Sequence, residues 1–387
     1  MRNKALKIVC ILLSYLMVIS VAVCATLWFV VGNQTQKSGK LQQLEALLLE
    51  RFIDGADQTE LEDAAAHAMV AALGDRWSYY IPADEYKAYT EQKKNAYVGV
   101  GITISYTDTG YLVQKVNEGG PAEEAGMLAG DVIVSVDGTS VVGMAVDEGK
   151  KLVQGEAGTK VKITVDRAGE TLTLTVERRT VRTPVATATM LEGNIGLITI
   201  ANFNSNCASE TIAAVKQLQA QGAVALIFDV RNNGGGYADE MVDVLNHLLP
   251  EGELFRTINY KGEENVDTSD AACVKMPMAV LVNRYSYSAA EFFAVALHEY
   301  DWAKVVGEQT SGKGFFQVVY QLSDGSAVGI SIGKYFTPSG VSLEGVGITP
   351  DIPVDVDDAT FNAIYAGILD PMEDPQILAA IAALKGE

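Results

Sequence analysis

Residues 224–236, VALIFDVRNNGGG, hold the pattern that decides the fold. The short apolar run at residues 223–230 is typical of a strand that is buried on both faces. Polar residues and three successive glycines follow it at once, and helix-like sequence begins near Tyr237. The stretch therefore predicts a β–α unit, and in open α/β sheets ligand sites form at the carboxyl ends of the strands.

The same alternation extends on both sides of this stretch. NIGLITIANF (194–203) is typical of a strand, and SETIAAVKQLQAQG (209–222) is typical of an amphipathic helix that stops at a glycine. Downstream, MAVLVN (278–283) predicts another buried strand and SAAEFFAVALHEY (288–300) another helix. Strands that alternate with helices predict an α/β core.

The glycine turn has two interpretations. Glycines at the end of a strand let backbone N–H groups face a ligand, so the turn can bind a phosphate or the oxyanion of an acyl transfer. A plain glycine-rich connection between strand and helix is equally consistent with this segment alone.

A second strand end carries two serines, in NRYSYSAAEFF at residues 283–293. A serine at a helix start is usually an N-cap, but Ser286 or Ser288 is also well placed for a nucleophile. A nucleophilic serine needs a base. His298 lies nearly three helical turns beyond Ser288, too far to touch it, and the G-x-S-x-G elbow of many hydrolases is absent.

GEQTSGKGFFQ, at residues 307–317, almost matches a phosphate-binding loop. That motif requires Ser or Thr after the lysine and then a helix. Here Gly314 follows Lys313, and the next residues predict a hairpin around Asp324-Gly325, so we reject a nucleotide site. Lys313 is then either a surface lysine in a turn or, if buried among apolar groups that lower its pKa, a base.

The N-terminus predicts a membrane anchor. Arg2, Lys4 and Lys7 precede 25 uncharged residues, 8–32, which are long enough to cross a bilayer as a helix. The basic flank stays in the cytoplasm, so the rest of the chain should lie outside it. A cleaved signal peptide is the rival interpretation; a lipoprotein at Cys24 is disfavoured by the bulky residue before it.

Charge and composition exclude several functions. The net charge is −20 and the basic N-terminus makes the remainder more acidic still, which argues against nucleic acid as a partner. Only three histidines are present and none shares zinc spacing with a cysteine, so we expect neither a metal nor another cofactor. Cys207 and Cys273 could pair outside the cytoplasm, but two cysteines do not establish a disulfide framework.

Taken together, these segments resemble the C-terminal processing peptidases, the tail-specific Ser–Lys proteases. The resemblance covers nearly all of the region after the anchor. The segments that carry it are LGDRWSYYIPADEY (73–86), VGVGITI (98–104), GGPAEEAGMLAGDVIVSVDG (119–138), IFDVRNNGGG (227–236), VLVNRYSYSAAEFFAVAL (280–297), VVGEQTSGKGFFQ (305–317) and GVGITPDIPV (345–354).

The resemblance assigns the catalytic residues. The lysine of the family lies 25 positions after its serine, which selects Ser288 over Ser286 as the nucleophile and makes Lys313 the base. Gln317 should orient Lys313, although on a straight strand the two side chains would be too far apart, so a bend at Gly312 or Gly314 is required. The implied oxyanion donors are the N–H groups of Ala289 and, in the glycine turn, Gly235.

The resemblance also implies a PDZ domain. Its carboxylate-binding loop corresponds to Gly99, Val100, Gly101 and Ile102, whose N–H groups would hold the C-terminus of a peptide that adds a strand to the sheet. Such a domain either selects substrates or docks a regulatory partner. Two departures from the family pattern are Gln154, where many relatives have an arginine, and Gly234, where proline is common.

The sequence therefore predicts an α/β protease core with ClpP/crotonase-like β–α units, an inserted β-rich PDZ domain, a helical N-terminal region and one transmembrane helix. The predicted function is a membrane-anchored, outward-facing serine endopeptidase, a homodimer that acts on polypeptides with accessible C-termini. The alternative is a catalytically silent PDZ adaptor. The predicted segments are 1–36 (cytoplasmic tip and anchor), 37–95 (helical, dimerising), 96–179 (PDZ), 180–355 (protease core) and 356–387 (helical tail).

Overall fold

The computed structural model describes residues 15–23 and 39–386. Residues 15–23 are helical, and the remainder of the predicted anchor at residues 8–32 lies outside the described part of the chain. Among the residues described, we find no helix with the length and apolar character needed to span a bilayer.

The described residues fall into two compact units that divide after Tyr80. The first contains helices α1 (Lys40–Arg51) and α2 (Gln58–Ala71). Asp57 caps α2 by accepting a hydrogen bond from the N–H of Glu60. Neither helix contains a buried residue, so the leucines of α1 remain exposed.

Strand β1 (Tyr79–Ile81) lies at the division, and α3 (Ala83–Lys93) follows it. A small β-rich domain comes next. Its strands are β2 (Ala96–Gly99), β3 (Ile102–Thr107), β4 (Gly110–Val116), β5 (Val132–Val136), β6 (Thr139–Ser140), β7 (Lys160–Arg167), β8 (Glu170–Glu177) and β9 (Arg179–Arg182), and its helices are α4 (Pro121–Glu124) and α5 (Val146–Val153).

This domain is an antiparallel sheet in the order β3-β4-β5-β7-β8, with β6 beside β5. Alternating residues of β7, Val161, Ile163 and Val165, point into its core, as expected for strands with one buried face. Strands β2 and β9 pair with each other and form the two chain connections into and out of the domain.

The larger domain begins with β10 (Ala186–Leu191). Then come β11 (Ile195–Ile200), α6 (Cys207–Ala220), β12 (Ala225–Asp229), α7 (Ala238–Leu248), β13 (Gly252–Asn259), β14 (Glu264–Ser269), β15 (Met278–Val282), α8 (Ala289–Glu299), β16 (Ala303–Gly307), β17 (Phe315–Gln321), β18 (Ala327–Phe336) and β19 (Ile352–Pro353). Its C-terminal part contains α9 (Asp358–Tyr365), a short 3-10 helix (Pro371–Glu373) and α10 (Pro375–Lys385).

The main sheet of this domain has the order β10-β11-β12-β15-β16-β19 and is parallel except for β10. Every residue of β12 and β15 is buried, which explains their unbroken apolar sequences, since helices cover both faces of a parallel sheet. The predicted β–α alternation is confirmed. Because β12, β15 and β16 are parallel neighbours, their carboxyl ends all lie at the same edge of the sheet.

A second sheet contains β13, β14, β17 and β18. The sequence pattern predicted the β17–β18 hairpin but not β13 and β14. Helix α8 lies between the two sheets and is buried from Ala289 to Leu297. Phe293 contacts the ring of Phe228 in the main sheet, and Phe292 contacts Phe255 in the second. The helix that begins at the predicted nucleophile is thus held on both sides.

Both cysteines that could have formed a disulfide are free thiols. Cys207 is buried at the start of α6, and burial raises the pKa of its thiol to about 12. Cys273 is partly exposed.

Candidate active site

Three loops meet at the edge where β12, β15 and β16 end. Residues 230–237 contain the glycine turn, residues 283–288 contain the two serines, and residues 308–314 contain Lys313. Because the three strands are adjacent and parallel, their carboxyl ends lie side by side, about 5 Å apart from one strand to the next. The topology therefore brings together segments that are far apart in the sequence.

Ser286 has a structural role. It is fully buried, its hydroxyl donates to the backbone oxygen of Val230 at 2.7 Å, and it accepts from the N–H of Asn283 at 3.0 Å. Its hydroxyl therefore joins the serine loop to the glycine turn and is already engaged as donor and acceptor.

Ser288 has a different environment. It is the N-cap of α8 and adopts φ 58° and ψ −127°, a conformation that a residue with a side chain rarely takes. Such strained residues concentrate at active sites, where surrounding contacts must hold them in place. The placement of Ser288 at a sharp strand-to-helix turn fits a nucleophile better than that of Ser286.

Lys313 lies in the loop immediately before β17, between two glycines. Gly312 has φ 75°, and a side chain there would come within 2.8 Å of the backbone nitrogens of Val346 and Gly347. The Gly314 N–H donates to Glu344 Oε2 at 2.7 Å. The glycines thus let the lysine loop bend and pack closely against the segment at residues 343–348.

Glu291 is the site residue that our sequence analysis missed. Its Oε2 accepts from the backbone N–H of Ser288 at 3.0 Å and from that of Lys313 at 2.8 Å. Its Oε1 accepts from the N–H of Gly312 at 2.7 Å and from the hydroxyl of Thr310. Sharing one oxygen atom places the backbone nitrogens of Ser288 and Lys313 within about 6 Å of each other.

A sequence signal for Glu291 existed. Ser288 and Glu291 form a capping box, the S-x-x-E pattern at a helix start. That pattern predicts the bond within the helix but not the three bonds to the lysine loop. The pKa of the Glu291 carboxyl is raised overall, because burial outweighs the four hydrogen bonds that lower it.

The side chain of Lys313 also turns toward the serine loop. Its Nζ lies 5.8 Å from the ring centroid of Tyr287, the residue before Ser288. The structure thus links the backbones of the predicted nucleophile and base through Glu291 and places the Lys313 ammonium near the ring of the residue that precedes Ser288.

Gln317 lies on β17, just past a β-bulge between Phe316 and Gln317. Its side-chain Nε2 donates to Ser331 Oγ at 2.9 Å and to the backbone oxygen of Phe315 at 3.2 Å. The strand that carries Gln317 is therefore not straight, as contact with Lys313 would require. The orienting role of Gln317 toward Lys313 stays a prediction.

The glycine turn touches Ser288. Gly235 has φ 82°, and a Cβ there would lie 2.8 Å from the Cβ of Ser288, so only glycine permits this approach. The Gly235 N–H donates to Asn233 Oδ1 at 2.8 Å and can serve an oxyanion only after that bond opens. Ala289 is the first residue of α8, where N–H groups lack partners within the helix. Both oxyanion assignments stay predictions.

The glycine turn and the serine loop are joined by further hydrogen bonds. Asn232 and Asn283 exchange a reciprocal pair, from the Asn232 N–H to Asn283 Oδ1 and from Asn283 Nδ2 to Asn232 Oδ1. The N–H of Tyr287 donates to the backbone oxygen of Asn233. The glycine turn and the serine loop therefore form one hydrogen-bonded structure.

A buried ionic network supports this turn from behind. Arg231 donates to both oxygens of Asp229, to Asp374 Oδ2 at 2.7 Å and to Gln376 Oε1 at 2.8 Å. Burial lowers the pKa of Arg231, but the two aspartates outweigh it and raise the pKa overall. Because Asp374 also caps α10, the C-terminal helix is tied to the active-site edge.

The predicted peptide site lies in the small domain. A groove of about 400 Å³ is lined by all four predicted residues, Gly99, Val100, Gly101 and Ile102, and on its other side by α5. Within the described part of the chain, the N–H groups of Val100 and Gly101 donate no hydrogen bond. The groove therefore combines an apolar lining with donors that a carboxylate can use.

Gln154, the departure from the family pattern, follows α5 and lines this groove. A different arginine, Arg178, holds the end of that helix: its Nε donates to the backbone oxygen of Val153 at 2.7 Å. Arg178 directly precedes β9, so the groove helix is bonded to one of the two connections between the domains.

No group of histidine, cysteine, aspartate and glutamate side chains among residues 15–23 and 39–386 is arranged to hold a metal ion.

Comparison with known proteins identifies both domains. Residues 194–354 match the sequence profile of Peptidase family S41, and residues 98–177 match that of the PDZ domain. The chain is 31% identical over 356 residues to the carboxy-terminal processing protease CtpA of Bacillus subtilis, covering 88% of this chain and 76% of that protein.

A second relative supports the family assignment, and a solved structure supports the fold. The chloroplastic C-terminal processing peptidase of Tetradesmus obliquus is 34% identical over 312 residues, which cover 75% of this chain and 67% of that protein. A solved structure of a Bacteroides fragilis protein described as an S41 protease has the same fold, with a TM-score of 0.54, 18% identity and coverage of 84% of this chain and 90% of that one. The resemblance seen in the sequence is confirmed: the chain belongs to the C-terminal processing serine proteases of Peptidase family S41 and contains a PDZ domain.

Proposed function

We propose that the chain is a serine endopeptidase with a Ser–Lys dyad, Ser288 and Lys313, assisted by Gln317. The observation that carries the proposal is the shared acceptor, Glu291 Oε2, which brings the backbones of Ser288 and Lys313 together. The strained conformation of Ser288 and its contact with Gly235 further support a nucleophile beside an oxyanion site. Ser–Lys pairs are an established variant of the serine-protease triad.

In this mechanism the Ser288 hydroxyl attacks the scissile carbonyl carbon while the neutral Lys313 amine takes its proton. Backbone N–H groups, of which Ala289 and Gly235 are the candidates, stabilise the oxyanion. The Lys313 ammonium then protonates the leaving amine, and an acyl-enzyme remains on Ser288. A water molecule then gives a proton to Lys313 while its oxygen attacks the ester carbon. Lys313 returns that proton to Ser288 Oγ as the ester bond breaks, which releases the acid and restores the free serine and the neutral amine.

Cleavage of an unfolded protein tests the proposal. The full chain in detergent is incubated with casein beside Ser288→Ala and Lys313→Ala, and fragments are identified by mass spectrometry. We expect both variants to lose cleavage by at least about 10³-fold. Cleavage by Ser288→Ala at the wild-type rate would refute the nucleophile assignment. Intact casein in every reaction, including reactions with added C-terminal peptides, would favour the PDZ adaptor instead.

We further propose that the protease is anchored by residues 8–32 and faces outward. The support is the length of the uncharged segment and the basic residues before it. In intact cells, added proteinase should digest the PDZ and protease domains, and deletion of residues 1–32 should release the protein from membranes. Protection from the proteinase in intact cells would contradict the orientation.

For substrates, we propose polypeptides whose C-termini enter the PDZ groove, which offers free N–H groups and an apolar lining. The groove suits a peptide that extends the sheet and ends in a carboxylate. A regulatory protein with such a tail would compete for the same groove. A tail peptide with a free carboxylate should therefore bind more tightly than its C-terminal amide.

We also propose a homodimer formed through α1. Leu41, Leu44 and Leu48 lie on one face of this helix and are each at least 36% exposed. In sedimentation experiments we expect Leu44→Glu to become monomeric, whereas Gln42→Glu, on the same helix, should remain dimeric. A monomeric wild-type protein would contradict the proposal.

A further inference from the structure

Glu291 is a carboxylate in an unusual position. It is fully buried, although glutamates are almost never fully buried unless they are paired. None of the four groups that donate to it is charged: three are backbone N–H groups and the fourth is the hydroxyl of Thr310. Four uncharged donors take the place of the cation that usually pairs with a buried glutamate. Together they surround a side chain that has two acceptor oxygens.

The chemistry of these donors excludes a neutral substitute. A backbone N–H can only donate, and three of them converge on the two oxygens of Glu291. A glutamine has one oxygen and one NH₂ group, and the NH₂ would face at least one of these N–H groups. The site therefore requires a carboxyl group, which offers two acceptor oxygens, even though its shape would admit an amide.

An ordinary helix cap does not explain this arrangement. Only the bond to Ser288 belongs to the capping box, whereas the other three reach the lysine loop, 19 to 22 residues further along the chain. Thr310 extends the connection, because its Oγ1 accepts from the N–H of Ile348 at 2.7 Å. Glu291 thus links the nucleophile, the base loop and the segment on which that loop packs.

We propose that Glu291 is a positioning residue: its carboxylate holds the strained Ser288 and the loop of Lys313 in the arrangement that proton transfer requires, without touching the substrate. The proposal rests on the proposed Ser–Lys function. Oε2 fixes the peptide group before Ser288 by accepting its N–H, and the same atom fixes the peptide group before Lys313. Loss of this shared acceptor releases both reacting groups at once.

The test compares Glu291→Gln with Glu240→Gln in the full chain in detergent. Glu240 is a matched control, because its carboxylate also accepts from backbone N–H groups, those of Asn206 and Ala208 at the start of α6, but from none in the serine or lysine loops. For Glu291→Gln we expect kcat on a peptide substrate to fall at least about 100-fold while KM changes little, since a misplacement of about 1 Å has that effect. Glu240→Gln should keep the wild-type kcat.

Hydrogen exchange gives a readout that does not depend on activity. In Glu291→Gln the amides of Gly312 and Lys313 should exchange faster than in the wild type, and in Glu240→Gln they should not. Unchanged exchange together with an unchanged kcat would overturn the proposal. A wild-type protein that cleaves nothing while Glu291→Gln still exposes these amides would instead refute the proposed protease function and leave the structural link intact.

A second variant covers the case in which Glu291→Gln does not fold. Thr310→Val removes one donor from Oε1, whereas Thr310→Ser keeps it. We expect Thr310→Val to lower kcat by about tenfold without a matching change in KM, and Thr310→Ser to restore it. Equal kcat values for the two variants would overturn the proposal.

Discussion

The edge of the main sheet and the PDZ groove each bring several backbone N–H groups together, but the groups are bonded within the protein in one region and open in the other. At the sheet edge, the N–H groups of Ser288, Gly312 and Lys313 all donate to one buried carboxylate. In the groove, among the residues described, those of Val100 and Gly101 donate to nothing. One region is internally bonded and the other is left open.

This difference fits two tasks. Catalysis requires reacting groups that are held in place before the substrate arrives, and bonds within the protein provide that. Recognition of a peptide end requires donors that only the ligand satisfies, because a donor already used inside the protein adds little affinity. We therefore expect damage to the sheet edge to change stability and kcat, and damage to the groove to change affinity alone.

The largest effect should follow a break in the ionic network behind the glycine turn. Arg231→Met leaves the buried carboxylates of Asp229 and Asp374 without their partner. We expect the free energy of unfolding to fall by about 3–5 kcal/mol, as measured by urea denaturation. Arg51→Met is the matched control, because the ion pair of Arg51 with Glu50 is exposed to solvent. This variant should leave the free energy of unfolding almost unchanged. Equal effects would show that the network does not stabilise the edge.

A smaller effect is expected when the structural serine is changed. Ser286→Ala leaves the N–H of Asn283 and the backbone oxygen of Val230 without their partner, so the free energy of unfolding should fall by about 1–3 kcal/mol. The folded variant should keep its nucleophile and still cleave casein. Complete loss of cleavage by a folded Ser286→Ala would mean that our assignment of the two serines is wrong.

The smallest effect should come from the groove. Val153 lines it on α5, and Val153→Glu adds a negative charge to the apolar groove in which we expect the C-terminus of a peptide. Binding of a tail peptide, measured by calorimetry, should weaken about tenfold, which corresponds to about 1.4 kcal/mol, with no change in kcat on a short peptide without a tail. Val142→Glu, at an exposed position of the same domain, is the control. Equal weakening by both variants would rule out this groove as the binding site.

The comparison also explains what could be predicted from the sequence. The β–α alternation and the groove loop were predictable because they depend on local pattern and on motifs that neighbour each other in the chain. The ion pair between Arg231 and Asp374 could not be predicted from the sequence. The two residues are 143 positions apart, and only the fold brings them together. Strands β13 and β14 were missed because their half-exposed, polar sequences lack the apolar runs that marked the buried strands.

The contacts of Glu291 in the candidate site could also be predicted only in part. Its place in a capping box was visible in the sequence, but its bonds to the lysine loop depend on β15 and β16 being neighbours. The positive φ of Ser288 also had no signal, since serine rarely takes this conformation. What the sequence indicated were the chemical groups; the contacts that hold them arise from strand order.

The central claim is that Ser288, activated by Lys313, is the nucleophile. The most direct measurement is the intact mass of the full chain after reaction with a serine-directed phosphonate, followed by peptide mapping. We predict one adduct per chain in the wild type, located on Ser288, and none in Ser288→Ala or in Lys313→Ala over the same period. An adduct on Ser286, or labelling of Lys313→Ala at the wild-type rate, would contradict the account.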